Sequence, residues 1–246
     1  MVKSTLNWKV FVRSAKKHPE GERFMTKNYK LKYILTELAR HLPYTIFGVC
    51  MGLMLMGALN FFAVLMKSEA LMAPASMEFF HVSHASHILF SAVATTAMFW
   101  KHEKRVAKAL LVGSLGSIGI CSLSDTIFPT IGGTILGIDM KMHICIIKEP
   151  WLIIPFAVLG VVTGFLIPDV IEKSTEYSHS VHVLLGSLSS ILYLVGFGMQ
   201  DWVHLLGGVL VITVFSVMLP CCLSGIIFPL MCTHRGCTHP KMVSTT

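Results

Sequence analysis

Six apolar stretches, roughly 43–66, 78–100, 107–131, 150–168, 178–199 and 203–231, alternate along the chain with short polar connections. Each is about 20 residues long, the length an α-helix needs to cross the hydrocarbon core of a bilayer. Ahead of them, Leu31, Ile34, Leu35, Leu38 and Leu42 recur at helical spacing, with Lys32, Glu37 and Arg40 off that face. This predicts an amphipathic helix over 28–42, lying along the cytoplasmic interface or packed on the protein's own cytoplasmic face, before Pro43 opens the first span. The longest connection, 132–149, contains Ile135-Leu136 and Ile144-Cys145-Ile146-Ile147, runs apolar enough to dip back into the protein. The pattern predicts an all-α, polytopic membrane protein with six transmembrane helices.

Composition agrees. The chain is 54% hydrophobic and only 13% charged, against about 25% charged in an ordinary soluble domain. The net charge of +7 comes largely from residues 1–42, where ten Lys or Arg stand against three Glu. Beside a membrane span, such a basic segment reports orientation and anionic lipid, so membrane lipid is the expected partner and nucleic acid is not. With the N-terminus inside, Lys101, Lys104, Arg105, Lys108, Arg235 and Lys241 also fall inside, and both termini are expected to be cytoplasmic. The resulting organisation is a basic cytoplasmic tail (1–42), two three-helix repeats (43–149 and 150–231) and a cytoplasmic Cys/His tail (232–246). The seven cysteines suggest no disulfide framework, because Cys232 and Cys237 fall in the reducing cytoplasm. Self-association of the chain is left open.

The repeats are read from two pairs of segments. Glu78-Phe79-Phe80-His81-Val82-Ser83-His84 and Glu176-Tyr177-Ser178-His179-Ser180-Val181-His182 share a Glu-x-x-His-x-x-His pattern 98 residues apart. Cys121 to Pro129 and Cys221 to Pro229 match at six of nine positions, 100 residues apart. Three spans per copy is an odd number, so the second copy must enter the membrane from the opposite side. That is a 3+3 inverted-topology repeat, a layout of many secondary transporters. The first and fourth spans align poorly beyond Pro43 and Pro150. Pro129 and Pro229 each remove a backbone donor, so the third and sixth helices are expected to be broken at these Ile-Phe-Pro segments, and Pro220 should kink the last span.

The repeated motifs carry metal-type ligands. Residues three apart on an α-helix are about 60° apart around its axis, so either His81, His84 and His87 or Glu78, His81 and His84 can face one cleft. The second copy offers Glu176, His179 and His182. Imidazole and carboxylate together suit a divalent transition-metal ion such as Zn²⁺, Mn²⁺, Fe²⁺, Co²⁺ or Ni²⁺. A single intramembrane histidine is readily explained as a hydrogen bond between helices, but several ionisable groups in a repeated pattern point to ligation or proton coupling. Asp125, whose counterpart is Gly225, could join His81 and His84 or cap a broken helix. His143, Cys145 and Glu149 form a weaker outer cluster. Cys221 and Cys222 could receive an ion on the inner side, and Cys232, His234, Cys237 and His239 could capture one in the cytosol. Met51, Met54 and Met56 read as flexible apolar packing.

These features favour transport of a divalent metal ion through the paired motifs, with proton coupling and with export preferred over import. No Gly-x-x-x-x-Gly-Lys-Ser/Thr loop is present, so the chain does not itself use ATP. The alternative is a membrane-embedded zinc hydrolase, with His81, His84, His87 and Asp125 holding the metal and Glu78 as base. A haem-binding electron carrier using facing histidines is a third class.

Overall fold

The computed structural model describes the backbone of residues 22–102, 104–166 and 175–233 and the side chains of 38–39, 42–100, 104–166 and 180–220. The chain forms two compact units, 1–39 and 40–246. Within the first, residues 22–39 are helical. Of the amphipathic face expected over 28–42, the side chains of Leu31, Ile34 and Leu35 lie outside the described residues, Leu38 is half-buried and Leu42 is exposed.

The elements in chain order are α1 (Glu22–Leu65), a 3₁₀ turn (Glu69–Leu71), α2 (Met72–His102), α3 (Val106–Ser122), a π-helical segment (Leu123–Ile127), α4 (Phe128–Ile135), the single turn α5 (Cys145–Lys148), α6 (Pro150–Leu166), α7 (Thr175–Phe197) and α8 (Leu206–Thr233). Among the described residues there is no strand. Leu42–Leu65, Val106–Ile135 and Ser180–Phe197 are long and apolar enough to cross a membrane, and Pro150–Leu166 and Leu206–Pro220 are apolar but shorter. The chain is an all-α, multi-pass integral membrane protein. Phe47, Met54, Phe61, Leu111, Leu115 and Leu159 are exposed. Large apolar side chains turned outward on this scale belong against lipid.

Two expected interruptions are absent. α1 continues through Pro43, and α8 is α-helical through Pro229 instead of broken there. A proline deletes its own hydrogen bond and bends the axis, but the flanking residues keep theirs. The third helix does depart from α geometry, although as a π-helical turn and not as a gap.

In the second unit α2 is the central helix, packed along α7, α6 and α3. It runs antiparallel to α7, with Met77 against Gly196, Phe80 against Tyr193, Ser83 against Ser189 and His87 against Gly186. Glycines let the outer helices approach. A Cβ on Gly160 of α6 would lie 2.5 Å from Leu89 O, and one on Gly164 would lie 2.7 Å from Val93 O. On α1, a Cβ at Gly48 would lie 3.2 Å from Ser187 Oγ, and one at Gly52 would lie 2.8 Å from Ile191 Cδ1. Both pairs have the small-xxx-small spacing that brings membrane helices into backbone contact. The connection after α4 turns at Gly137, whose φ of 81° suits a residue without a Cβ. It then packs Ile138, Met140 and Ile146 onto the core, so it does fold back as its apolar runs suggest.

Candidate metal centre

The centre starts from the π-helical segment. Phe128 N–H bonds to Leu123 O, five residues back, which widens the turn. Pro129 has no N–H, so in that register the carbonyl of Ser124 loses its intrahelical partner. Ser190 of α7 covers it, with its hydroxyl 3.0 Å from Ser124 O and 2.9 Å from Gly186 O. Ser124, Asp125 and Thr126 are all buried.

Asp125 meets two histidines of α2. His84 and His87 are one turn apart, and each donates Nδ1–H to the same oxygen, Asp125 Oδ2, at 2.8 Å. The Ser124 hydroxyl donates to the other oxygen, Oδ1. A carboxylate in an apolar bundle is costly unless its lone pairs are filled, and here three donors fill them. An ionised carboxylate only accepts, so it fixes Nδ1 as the protonated nitrogen of each uncharged ring and leaves Nε2 with the lone pair. His87 Nε2 then faces His182 Nε2 of α7 at 3.3 Å. The Cys121 thiol lies against His87.

A second group forms where the connection folds back. His81 Nε2 is 3.3 Å from His143 Nε2 and 3.8 Å from Glu149 Oε1. The donor atoms of His81, His143 and Cys145 lie within 4.8 Å of one another. Adjacent vertices of a tetrahedral zinc site with about 2.0–2.1 Å bonds are about 3.3 Å apart, which matches the two imidazole nitrogens. Burial, and then the neighbouring His81, lower the His143 pKa below its ordinary value. Burial, reinforced by the Glu149 carboxylate, pushes the Cys145 thiol up to about 12. His143 is therefore ready to ligate, whereas Cys145 must give up a proton first. Two imidazoles, a sulfur and a nearby carboxylate can hold a metal ion.

Comparison with protein-family models, curated proteins and solved structures finds no match.

Aromatic rings hold both groups in place. Phe80 stacks on His84 with centroids 5.2 Å apart and meets Tyr193 and Phe197 edge-on, while Phe197 stacks on His143 at 5.0 Å. The Tyr193 hydroxyl donates to Lys141 O and accepts His143 N–H, both at 3.0 Å, with Thr130 Oγ1 also at 3.0 Å. Tyr193 thus fastens the returning connection beside His143. Tyr193→Phe keeps the ring and orphans two backbone groups of that connection. We expect a loss of about 1–3 kcal/mol, seen as a lower apparent melting temperature in detergent, together with weaker Zn²⁺ binding.

Of the residues offered by α2, His81 faces His143 and Glu149, while His84 and His87 bond to Asp125. Glu78 is exposed, half a helical turn from His87. Asp125 takes His84 and His87 instead of His81, and it sits within the π turn without capping a helix end. His182 reaches His87, and His143, Cys145 and Glu149 converge on His81. The side chains of Glu176, His179, Cys221, Cys222 and Cys232, and the whole of His234, Cys237 and His239, lie outside the described residues. Cys121, Ser124 and Tyr193 were not foreseen as site residues. The repeated Cys-x-Leu-Ser run held the signal for the first two, and no local pattern marks Tyr193.

Proposed function

We propose that the chain carries a divalent transition-metal ion across a membrane between two inverted three-helix halves, loading it at His81, His143 and Cys145. The observation that carries this reading is that trio of donors, within 4.8 Å of one another at the head of a histidine ladder on the central helix. A sulfur beside two imidazoles favours Zn²⁺ or Co²⁺ over Mn²⁺.

The inverted halves draw support from a reciprocal contact. Gly48 and Gly52 of α1 meet α7 at Ser187 and Ile191, and Gly160 and Gly164 of α6 meet α2 at Leu89 and Val93. Ser187 and Ile191 follow Leu89 and Val93 by 98 residues, the offset that relates the two Glu-x-x-His-x-x-His motifs. Each half thus lends its first helix to the motif helix of the other. A hydrolase finds less support, because Glu78, its candidate base, is exposed.

Loading an ion on Cys145 expels the thiol proton, which ties metal movement to proton release and favours exchange of metal for protons. Because the thiol titrates near 12, it stays protonated at neutral pH, and each pH unit gained should tighten its share of binding about tenfold. Cys145→Ser should flatten the pH dependence of Zn²⁺ affinity by that one proton.

The direct test offers the purified protein Zn²⁺, Mn²⁺, Fe²⁺, Co²⁺ and Ni²⁺ separately and measures retained metal. Retention of Zn²⁺ or Co²⁺ that drops in a His143→Ala/Cys145→Ser variant is expected. Equal retention by that variant would contradict the reading.

A further inference from the structure

We propose that His87 and His182 form a second metal-ion site in the core of the bundle, with Asp125 as the positioning residue that orients His87 and not as a ligand. The proposal rests on the transport reading above and adds a distinct station to it, of the same ion class.

Both oxygens of Asp125 are already engaged, Oδ2 by His84 and His87 and Oδ1 by the Ser124 hydroxyl. Its remaining role is to hold the His87 ring with Nδ1–H toward itself and the Nε2 lone pair toward α7, as a carboxylate behind a metal-ligating histidine does. The group met there is His182 Nε2, at 3.3 Å. That spacing of 3.3 Å is about the edge of a tetrahedron around Zn²⁺. The outer His81–His143 pair has the same spacing. The rings of His87 and His182 are tilted 55° with centroids 4.4 Å apart, close to the 57° tilt of the outer pair. His87 is on α2 and His182 on α7, so the site lies on the seam between these two helices. The Cys121 thiol also lies against His87.

The alternative is a hydrogen bond between the two imidazoles, and glutamine separates the two roles. His182→Gln retains an amide that can bond to His87 Nε2 but lacks an imidazole ligand. His182→Cys supplies a thiolate ligand instead. The experiment counts Co²⁺ bound per full-length chain and records its absorption.

Relative to wild type, His182→Gln and His143→Ala should each lose one ion and the double variant two. His182→Cys should keep the wild-type count and gain thiolate–cobalt charge-transfer intensity. An unchanged count in His182→Gln, with no new absorption in His182→Cys, would overturn the second site. If His143→Ala still loses its ion in that event, the outer site and the transport reading stand. If neither substitution changes the count, both fall. Should His182→Gln fail to fold, the His182→Cys spectrum decides alone.

Discussion

His81→Ala is expected to weaken Zn²⁺ binding at the outer group by about 100-fold or more, since disturbing even the partner behind a metal ligand typically costs about 10–100-fold. His81 Nε2 is the vertex from which the other outer donors are reached, 3.3 Å from His143 and 3.8 Å from Glu149. Without it, His143 and Cys145 both lie on the returning connection, and no donor on α2 closes the trio. The control is Glu78→Gln, in the same motif on the same helix. Glu78 is exposed, so this variant should bind Zn²⁺ within about twofold of wild type if surface changes are near neutral. Titration against a competing fluorescent chelator reads both. Equal losses in the two variants would mean that the whole Glu-x-x-His-x-x-His motif ligates, contrary to this geometry.

Gly164→Ala should cause the second large effect, on assembly of the bundle. Its new Cβ would lie 2.7 Å from Val93 O and 2.8 Å from Thr96 Cβ, and the first of these is backbone that cannot rotate aside. α6 and α2 would have to separate, at a cost of about 1–3 kcal/mol. Gly57 of α1 offers the contrast, because nothing lies within 4 Å of a Cβ built there. Gly57→Ala should stabilise α1 by up to about 1 kcal/mol through helix propensity alone. Apparent melting temperatures in detergent should move in opposite directions for the two. The Gly164 variant should also lose metal affinity, since α2 carries every histidine of the ladder.

Much of this was legible in sequence because a bilayer imposes length and polarity on each helix. The six apolar stretches mark α1, α2, the α3–α4 helix, α6, α7 and α8 to within a few residues at most ends. The histidines of α2 were legible through their spacing of three, which needs no tertiary information. What could not be read depends on neighbours. That Glu78 is exposed while His84 and His87 are buried is decided by which side of α2 meets α7 and the π turn. Asp125 could be flagged as an unusual charge, but its two histidine partners depend on a π turn that no residue pattern dictates. The contacts of α1 with α7 and of α6 with α2 were hidden because small residues, Gly48, Gly52, Gly160 and Gly164, carry them. Their message is close approach, visible only once the opposing helix is known. Pro229 of α8 was misleading for a similar reason, since a kink and a break have the same local sequence.

The central claim is that this ladder passes an ion and does not merely hold one. The most direct measurement is Zn²⁺ flux into vesicles reconstituted with the purified chain, recorded together with lumenal pH. The account predicts flux above protein-free vesicles, accompanied by proton movement in the opposite direction and lost in His81→Ala. Flux no greater than in protein-free vesicles, or flux that survives His81→Ala unchanged, would contradict it.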